Sequence, residues 1–233
     1  MSYLALAIVA GLAAVERKGF LQAMLSRPVA LAPITGWALG DLQAGVLLAA
    51  PLELLWLGAV NLGAALPVHE ALAAASITGG AILSARALGA PVTPDVAILA
   101  VLVCAPIAVL GRAADRLTER WNDRLATRAE AELGLGHTRA AARTNLYGLA
   151  APFTVAALLA PAGAGLAALL VPAALRALPH AVGPLRLGFF AFAGLAAAAG
   201  ARAMRARSAP GYFYAALAGA LVLGLVAGGG AHP

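Results

Sequence analysis

The fold is decided by residues 27–82, which read RPVALAPITGWALGDLQAGVLLAAPLELLWLGAVNLGAALPVHEALAAASITGGAI. The stretch is apolar throughout, but its first half contains several residues that interrupt a helix, namely Pro33, Gly36, Gly40 and the adjoining Asp41. Broken backbone at membrane depth is tolerated only where protein or a water-filled cavity covers it. The pattern therefore predicts a re-entrant or interrupted element over residues 28–50.

The composition of the whole chain also indicates a membrane protein. Of its 233 residues, 62% are hydrophobic and 11% are charged, against about 45–50% and about 25% in soluble domains. A bilayer core about 30 Å thick needs about 20 apolar residues per helix, so the length allows about six to eight spanning or half-spanning segments. We expect an all-α fold, a polytopic transmembrane helical bundle with interrupted or re-entrant helices, forming a single membrane domain over residues 1–233.

Apolar runs separated by short charged islands predict where the segments lie. They are expected at residues 3–15, 51–66, 71–88, 96–110, 145–159, 183–201 and 212–227. Residues 163–178 contain Pro172 and are expected to be re-entrant or to lie at the surface, because the two basic islands should face the same side. No basic region precedes residues 2–15, which therefore indicate a first membrane segment rather than a removable signal.

Residues 112–143 form an extended polar stretch with seven Arg, five acidic residues and one His. Its arginines recur every four residues at Arg112, Arg116, Arg120, Arg124 and Arg128. This spacing predicts an amphipathic helix over residues 112–133, in which acids three residues after an arginine can pair with it. The excess of Arg places the helix and its following loop in the cytoplasm. Its arginine face is expected to be solvated or to face lipid headgroups, with docking of a soluble partner as the alternative.

The chain's net charge of +6 does not by itself indicate a nucleic-acid partner. Membrane proteins use Arg and Lys at helix ends to keep their cytoplasmic loops inside. We therefore expect these basic residues to lie next to the lipid bilayer, and we expect no nucleic-acid partner.

Glu53 is the first candidate site residue, because it lies in an apolar helix with no Lys or Arg within ten residues on either side. An ionisable group there costs at least ~2.5 kcal/mol unless it faces a cavity or a partner. Trp56 shares its helix face, and Asn61 follows about two turns later. A carboxylate, an indole face and an amide suit the binding of a sugar. In the alternative interpretation, Glu53 caps a broken helix and Trp56 belongs to the interfacial aromatic belt.

Asp41 and His69 are further candidate contacts for substrate. Asp41 follows Gly40 at a predicted turn, so capping of a half-helix and contact with ligand are both open. His69 and Glu70 follow Pro67 at a predicted helix start, which favours an end cap.

Signatures of soluble enzymes are missing from the sequence. It contains no phosphate-binding Gly-rich loop, no cysteine pair and no His-Glu-x-x-His motif. The four histidines are scattered along the chain rather than paired with an orienting acid. We therefore predict no catalytic residue, no metal and no cofactor, and we expect that the chain does not transfer phosphate by itself.

Two quoted runs carry a family resemblance. RPVALAPITGWALGD, residues 27–41, and LELLWLGAVNLGAA, residues 52–65, resemble the N-terminal half of IIC subunits in the mannose/fructose/sorbose family of the bacterial sugar phosphotransferase system. In that family Arg-Pro, Gly-Asp, Leu-Glu and Asn-x-Gly-Ala come in this order and spacing. The similarity continues more loosely through residues 111–125 and 211–219. Where members often read Ala-Pro-Asp, this chain has Pro67-Val68-His69.

The resemblance implies a multi-pass permease subunit of the bacterial inner membrane that pairs with a IID membrane subunit and oligomerises. Such a subunit binds a hexose-type sugar and moves it inward, and cytoplasmic IIB and IIA subunits supply the phosphate. The residues alone leave two other classes open. An ion-coupled secondary transporter would also use a lone membrane carboxylate and interrupted helices, and a non-transporting membrane sensor or assembly protein is the third possibility.

Overall fold

The computed structural model describes residues 1–19, 21–57 and 68–203, with residues 210–211, 214–215, 217–219 and 221–222 near the end of the chain. Every regular element in these ranges is helical, so the predicted all-α fold is confirmed. The helices are α1 (Ser2–Lys18), α2 (Pro28–Ala38), α3 (Leu42–Trp56), α4 (Glu70–Leu88), α5 (Pro94–Cys104), α6 (Ile107–Gly134), α7 (Thr138–Tyr147), α8 (Ala150–Ala177) and α9 (Val182–Ala203), with a 3₁₀ turn at Pro179–Ala181.

Several helical stretches are long and apolar enough to cross a membrane. In the described part of the chain there are four of them, counted by length and composition: Glu70–Leu88, Pro94–Gly134, Thr138–Ala177 and Pro179–Ala203. Leu42–Trp56 is apolar but shorter. The predicted polytopic helical bundle follows from these stretches.

Helices α2 and α3 form the interrupted element predicted from the sequence. Helix α2 has 11 residues, which makes it about 16 Å long and too short for a bilayer core of about 30 Å. The chain reverses at Gly40, whose φ of +76° favours glycine. Gly36 and Gly45 then allow backbone contact, because a Cβ on Gly36 would lie 2.6 Å from the Asp41 carbonyl oxygen and one on Gly45 would lie 2.5 Å from that of Ala32.

Helix α4 is the centre of the bundle and is buried along most of its length. It packs mainly against α8, and it also contacts α1, α2 and α5. Small residues permit these close approaches: a Cβ on Gly79 would lie 2.6 Å from the side chain of Leu6, and one on Gly80 would lie 2.8 Å from that of Ala167. Small side chains at such crossings are typical of helices packed in a bilayer.

Helix α8 corrects the predicted division of this region. Residues 145–159 and 163–178 were expected to be separate pieces, the second re-entrant or at the surface, but Ala150–Ala177 is one continuous helix containing Pro161 and Pro172. Each proline removes one backbone hydrogen bond, and neighbouring helices stabilise a membrane helix that contains one. Helices α1 and α4 pack alongside α8, so the prolines do not end it.

Two other spans predicted from the sequence, at residues 96–110 and 212–227, do not correspond to single described helices. The span expected at residues 96–110 contains a short break between the end of α5 at Cys104 and the start of α6 at Ile107, although both helices belong to the apolar stretch Pro94–Gly134. The span expected at residues 212–227 lies largely outside the described residues.

The amphipathic helix predicted over residues 112–133 is part of α6, which packs against α7. Its acidic residues do not pair with the arginines three residues earlier, as the spacing suggested. Asp115 Oδ2 lies 2.9 Å from Arg17 Nη1 and Glu119 Oε1 lies 3.3 Å from Lys18 Nζ. The reason is that Asp115 is buried on the α6 face that meets the basic last turn of α1.

Candidate functional site

Three helix ends meet at a cluster of charged residues. Arg27 directly precedes α2, Glu53 lies in the last turn of α3, and Glu70 is the first residue of α4. Pro28 at the start of α2 favours an extended conformation for the residue before it, and Arg27 has φ −67° and ψ 141°. This conformation places Arg27 outside the helix, at its N-terminal end.

Arg27 bridges the two carboxylates. Its Nε donates to Glu53 Oε1 at 3.0 Å, Nη2 donates to the same oxygen, and Nη1 donates to Glu70 Oε1 at 3.1 Å. Their side chains are 24%, 17% and 11% exposed. Burial lowers the pKa of Arg27, but the hydrogen bonds and charges of Glu53 and Glu70 raise the pKa above its ordinary value. Arg27 therefore stays charged between two acids.

Glu53 also stabilises the start of α2. Its Oε2 accepts a hydrogen bond from the backbone N–H of Val29 at 3.2 Å, and the first N–H groups of a helix lack intrahelical partners. Although no Lys or Arg lies within ten residues of Glu53 in the sequence, the fold supplies a cationic partner, because Arg27 pairs with it from 26 positions away. The capping part of the alternative interpretation is supported, since Glu53 caps the short helix α2, whereas Trp56 is buried in the hydrophobic core.

One carboxylate oxygen of Glu70 receives no hydrogen bond from any described residue. Its Oε1 receives Arg27, whereas Oε2 is buried and has no hydrogen-bond partner among the described residues. A buried carboxylate oxygen without a donor is costly. Sequence reasoning assigned Glu70 only to a helix start and did not place Arg27 in the site. A signal was present, because Arg27 is the one Lys or Arg in residues 27–82, which also hold three acids.

The segment before α2 is held by another carboxylate. Glu16 is buried near the end of α1, and its Oε2 accepts the backbone N–H of Ser26 at 2.9 Å. Leu21, Gln22 and Met24 in this segment have positive φ values. Glu16 therefore fixes the chain directly before Arg27 and so helps to position the guanidinium.

His69 lies beside the cluster and caps α4. Its Nδ1 accepts the backbone N–H of Leu72 at 3.2 Å, and its own backbone N–H donates to the Ala108 carbonyl oxygen at 3.0 Å. The predicted end cap is confirmed. Trp56 ends α3 and is buried in the hydrophobic core, while Asn61 lies outside the described residues. Contact of these three residues with a sugar stays a prediction.

Asp41 lies at the opposite end of α3 from Glu53. Its Oδ1 accepts the backbone N–H of Ala44 at 3.0 Å, which confirms the capping interpretation. Glu53 lies twelve positions after Asp41, which corresponds to about 18 Å along the helix axis. Near Asp41, Arg86 donates to the Leu39 carbonyl oxygen. The structure thus brings together Glu53 and Glu70 through Arg27, places His69 next to Glu70 at the start of α4, and leaves Asp41 apart.

Apolar helical stretches of spanning length, a short broken hairpin and a charged cluster at its base define a multi-pass membrane protein. A family model described as PTS system sorbose-specific IIC component matches residues 1–226. The chain belongs to this family of IIC components of sugar phosphotransferase systems. Membership disfavours both alternatives left open by the sequence, the ion-coupled secondary transporter and the membrane sensor or assembly protein.

Known proteins similar to this chain include a permease component and a chain of a solved transporter structure. "Putative N-acetylgalactosamine permease IIC component 2" of Escherichia coli (strain K12) is 39% identical over 94 residues, which cover 40% of this chain and 65% of that relative. A chain in the structure of the mannose transporter ManYZ with microcin E492 (MceA) superposes with a TM-score of 0.61 at 22% identity. That match covers 91% of this chain and 83% of the other. It shows the shared fold.

Proposed function

We propose that this chain is the membrane permease subunit of a phosphoenolpyruvate-dependent sugar phosphotransferase system. It binds a hexose-type sugar and moves it inward across the bacterial inner membrane for phosphorylation by a partner IIB subunit. Membership of the IIC family supports this function. The relatives named for N-acetylgalactosamine and mannose support a hexose-type substrate.

The observation that carries the proposal for the site is the cluster of Arg27, Glu53 and Glu70 at the meeting point of α2, α3 and α4. Carboxylates accept hydrogen bonds from sugar hydroxyls, and a guanidinium donates hydrogen bonds to them. The Oε2 of Glu70 has no hydrogen-bond partner among the described residues, so it is an acceptor that a sugar hydroxyl can fill. A sugar bound there also relieves the cost of a buried acceptor without a donor.

The other predicted contacts differ in their distance from this cluster. His69 adjoins Glu70 in the chain, and Trp56 ends the helix that carries Glu53. We propose both as sugar contacts together with Asn61. We do not propose Asp41 as a contact of the sugar bound at this cluster, because it caps the opposite end of α3.

The proposed assembly includes a IID membrane subunit, cytoplasmic IIB and IIA subunits and a second copy of the chain. The family resemblance supports these partners. We place the whole chain in one membrane domain, with residues 112–143 in the cytoplasm, because seven arginines gather there and basic residues mark cytoplasmic loops. The sequence contains no phosphate-binding Gly-rich loop. Contrary to the expectation that no histidine pairs with an acid, His137 Nδ1 lies 3.0 Å from Glu132 Oε2, but this histidine is exposed on the surface, so we expect the phosphate to come from IIB.

Sugar binding by the chain purified together with its IID subunit tests this function. We expect saturable binding of one radiolabelled hexose-type sugar from a panel containing mannose, fructose, sorbose and N-acetylgalactosamine, with no binding of a disaccharide. Sugar phosphate should form only after phosphorylated IIB is added. Accumulation of unmodified sugar in vesicles, driven by a proton or sodium gradient without IIB, would contradict the proposal and favour a secondary transporter.

A further inference from the structure

We propose that a groove between α6 and α8 binds the headgroup of an anionic phospholipid. The groove has a volume of about 620 Å³, within the range of about 300–1,000 Å³ for pockets that hold small molecules. Helix α6 contributes Leu117, Arg120, Trp121 and Arg124 to its lining, and the first turns of α8 form the facing wall. This site is separate from the cluster at Arg27 and is independent of the proposed sugar site.

The charge of the groove is related to ion pairs between α6 and α1. Asp115 and Glu119 of α6 form ion pairs with Arg17 and Lys18 of α1, and Asp123, which adjoins Arg124 in the sequence, does not line the groove. The described residues that line the groove therefore include two arginines and no acidic residue.

Arg120 and Arg124 lie one helical turn apart, and both are exposed. Among the described residues, no carboxylate lies within ion-pair distance of either guanidinium. Two arginines side by side can hold a phosphate group with charge-assisted hydrogen bonds, so the groove matches a ligand of negative charge.

The apolar part of the groove distinguishes a lipid from a soluble anion. Helix α8 begins at Ala150 and continues into an apolar stretch of spanning length, so its first turns lie where the chain enters the bilayer. Leu117, Ala151 and Val155 line the groove beside the arginines, and Trp121 is half exposed there. Tryptophan is enriched at the membrane interface, and basic pockets between membrane helices on the cytoplasmic side bind anionic headgroups. A phospholipid matches both parts of this groove, because its phosphodiester can bind the arginines and its acyl chains can contact the apolar residues.

Native mass spectrometry of the full chain in a neutral detergent tests the proposal, with phosphatidylglycerol and phosphatidylcholine as the two probes. We expect the wild type to retain phosphatidylglycerol in preference to phosphatidylcholine. The double variant Arg120→Gln/Arg124→Gln should bind phosphatidylglycerol roughly 25-fold more weakly, the factor that corresponds to about 1 kcal/mol for each arginine near an anionic surface. Ala151→Trp, which fills the groove without changing charge, should also lower phosphatidylglycerol binding.

The matched control is Arg116→Gln/Arg128→Gln, which removes the same charge from exposed positions of α6 that do not line the groove. It should keep the preference for phosphatidylglycerol. Equal loss in both double variants would overturn the proposal, because only the charge of the helix would then matter. Equal retention of the two lipids by the wild type would also overturn it, as would displacement of the lipid by inorganic phosphate. If the groove variant keeps its lipid but loses IIB-dependent phosphorylation, the groove is a protein docking surface instead.

Discussion

The two ends of α3 carry one acidic residue each, and the two residues are held in different ways. At the beginning of the helix, Asp41 accepts a hydrogen bond from Ala44, three residues later in the same helix. Near its end, Glu53 accepts from Arg27 and from the backbone of Val29, which both belong to the start of another helix. The first contact is local, whereas the second exists only after α2 has folded back against α3.

This difference indicates which end of the hairpin can respond to a ligand. Asp41 caps its own helix, and no charged group among the described residues forms a hydrogen bond with it. Glu53 shares Arg27 with Glu70, so three charged groups and three helix ends depend on one another. A sugar that binds one member of this cluster changes the hydrogen bonds of the others. Substitutions at the two ends should therefore differ in size and in kind.

The largest effect is expected for Arg27→Gln, which leaves Glu53 and Glu70 partly buried without their cation. Breaking a buried ion pair by removing one partner typically costs about 3–5 kcal/mol. We expect unfolding in detergent, followed by circular dichroism, to show a loss of this order. The control Arg116→Gln removes an exposed arginine of α6 and should change stability by no more than about 0.5 kcal/mol.

The triple variant Arg27→Gln/Glu53→Gln/Glu70→Gln keeps this test informative if Arg27→Gln alone does not fold. It removes the charges together with their partner and should recover much of the lost stability. If the triple variant is as unstable as Arg27→Gln, the loss does not come from uncompensated carboxylates, and the ion-pair interpretation of this end of α3 is wrong.

The next effect concerns affinity at the same end. Glu53→Gln keeps an oxygen for Val29 and leaves Arg27 its partner Glu70, so the complex with IID should still assemble. If the carboxylate contacts sugar hydroxyls, affinity should fall by roughly 1.5–3 kcal/mol, the range for hydrogen bonds to charged groups. Asn61→Ala should act in the same direction but less strongly, because it removes a neutral hydrogen bond. Calorimetry beside size-exclusion profiles measures both effects, and wild-type affinity in a well-assembled Glu53→Gln complex removes Glu53 from the site.

Between the two ends, Gly45→Ala tests whether the close contact of α2 and α3 is required. An added Cβ would lie 2.5 Å from the Ala32 carbonyl oxygen, and overpacking of this kind typically costs about 1–3 kcal/mol. Thermal unfolding should show the loss. Gly134→Ala is the control, because nothing lies within 4 Å of its added Cβ. Unchanged stability in Gly45→Ala would mean that the hairpin can separate without cost.

The smallest effect is expected at Asp41. Asp41→Ala removes the cap of α3 and should cost about 1 kcal/mol, whereas Asp41→Asn should be nearly neutral because Asn caps equally well. Sugar affinity should stay unchanged in both variants, as measured by the same calorimetry. If Asp41→Asn lowers sugar affinity as much as Glu53→Gln does, Asp41 contacts the sugar and the contrast between the two ends of α3 fails.

Residues that act within their own helix were predictable from the sequence. Asp41 and His69 both cap the helix that follows them, and their partners are the amides three residues later. The break at Gly40, the amphipathic α6 and the membrane character of the chain depend in the same way on local spacing and composition. The resemblance to the IIC family could also be recognised in short runs of sequence such as residues 27–41 and 52–65.

Contacts across large sequence separations were decided only by the tertiary structure. Arg27 reaches Glu53 over 26 positions and Glu70 over 43, and Asp115 pairs with Arg17 over 98. No spacing rule predicts an ion pair at such a sequence separation, because the packing of the helices alone determines which helix ends lie together. The continuity of α8 through Pro161 and Pro172 has the same origin, since neighbouring helices stabilise what local propensity would interrupt.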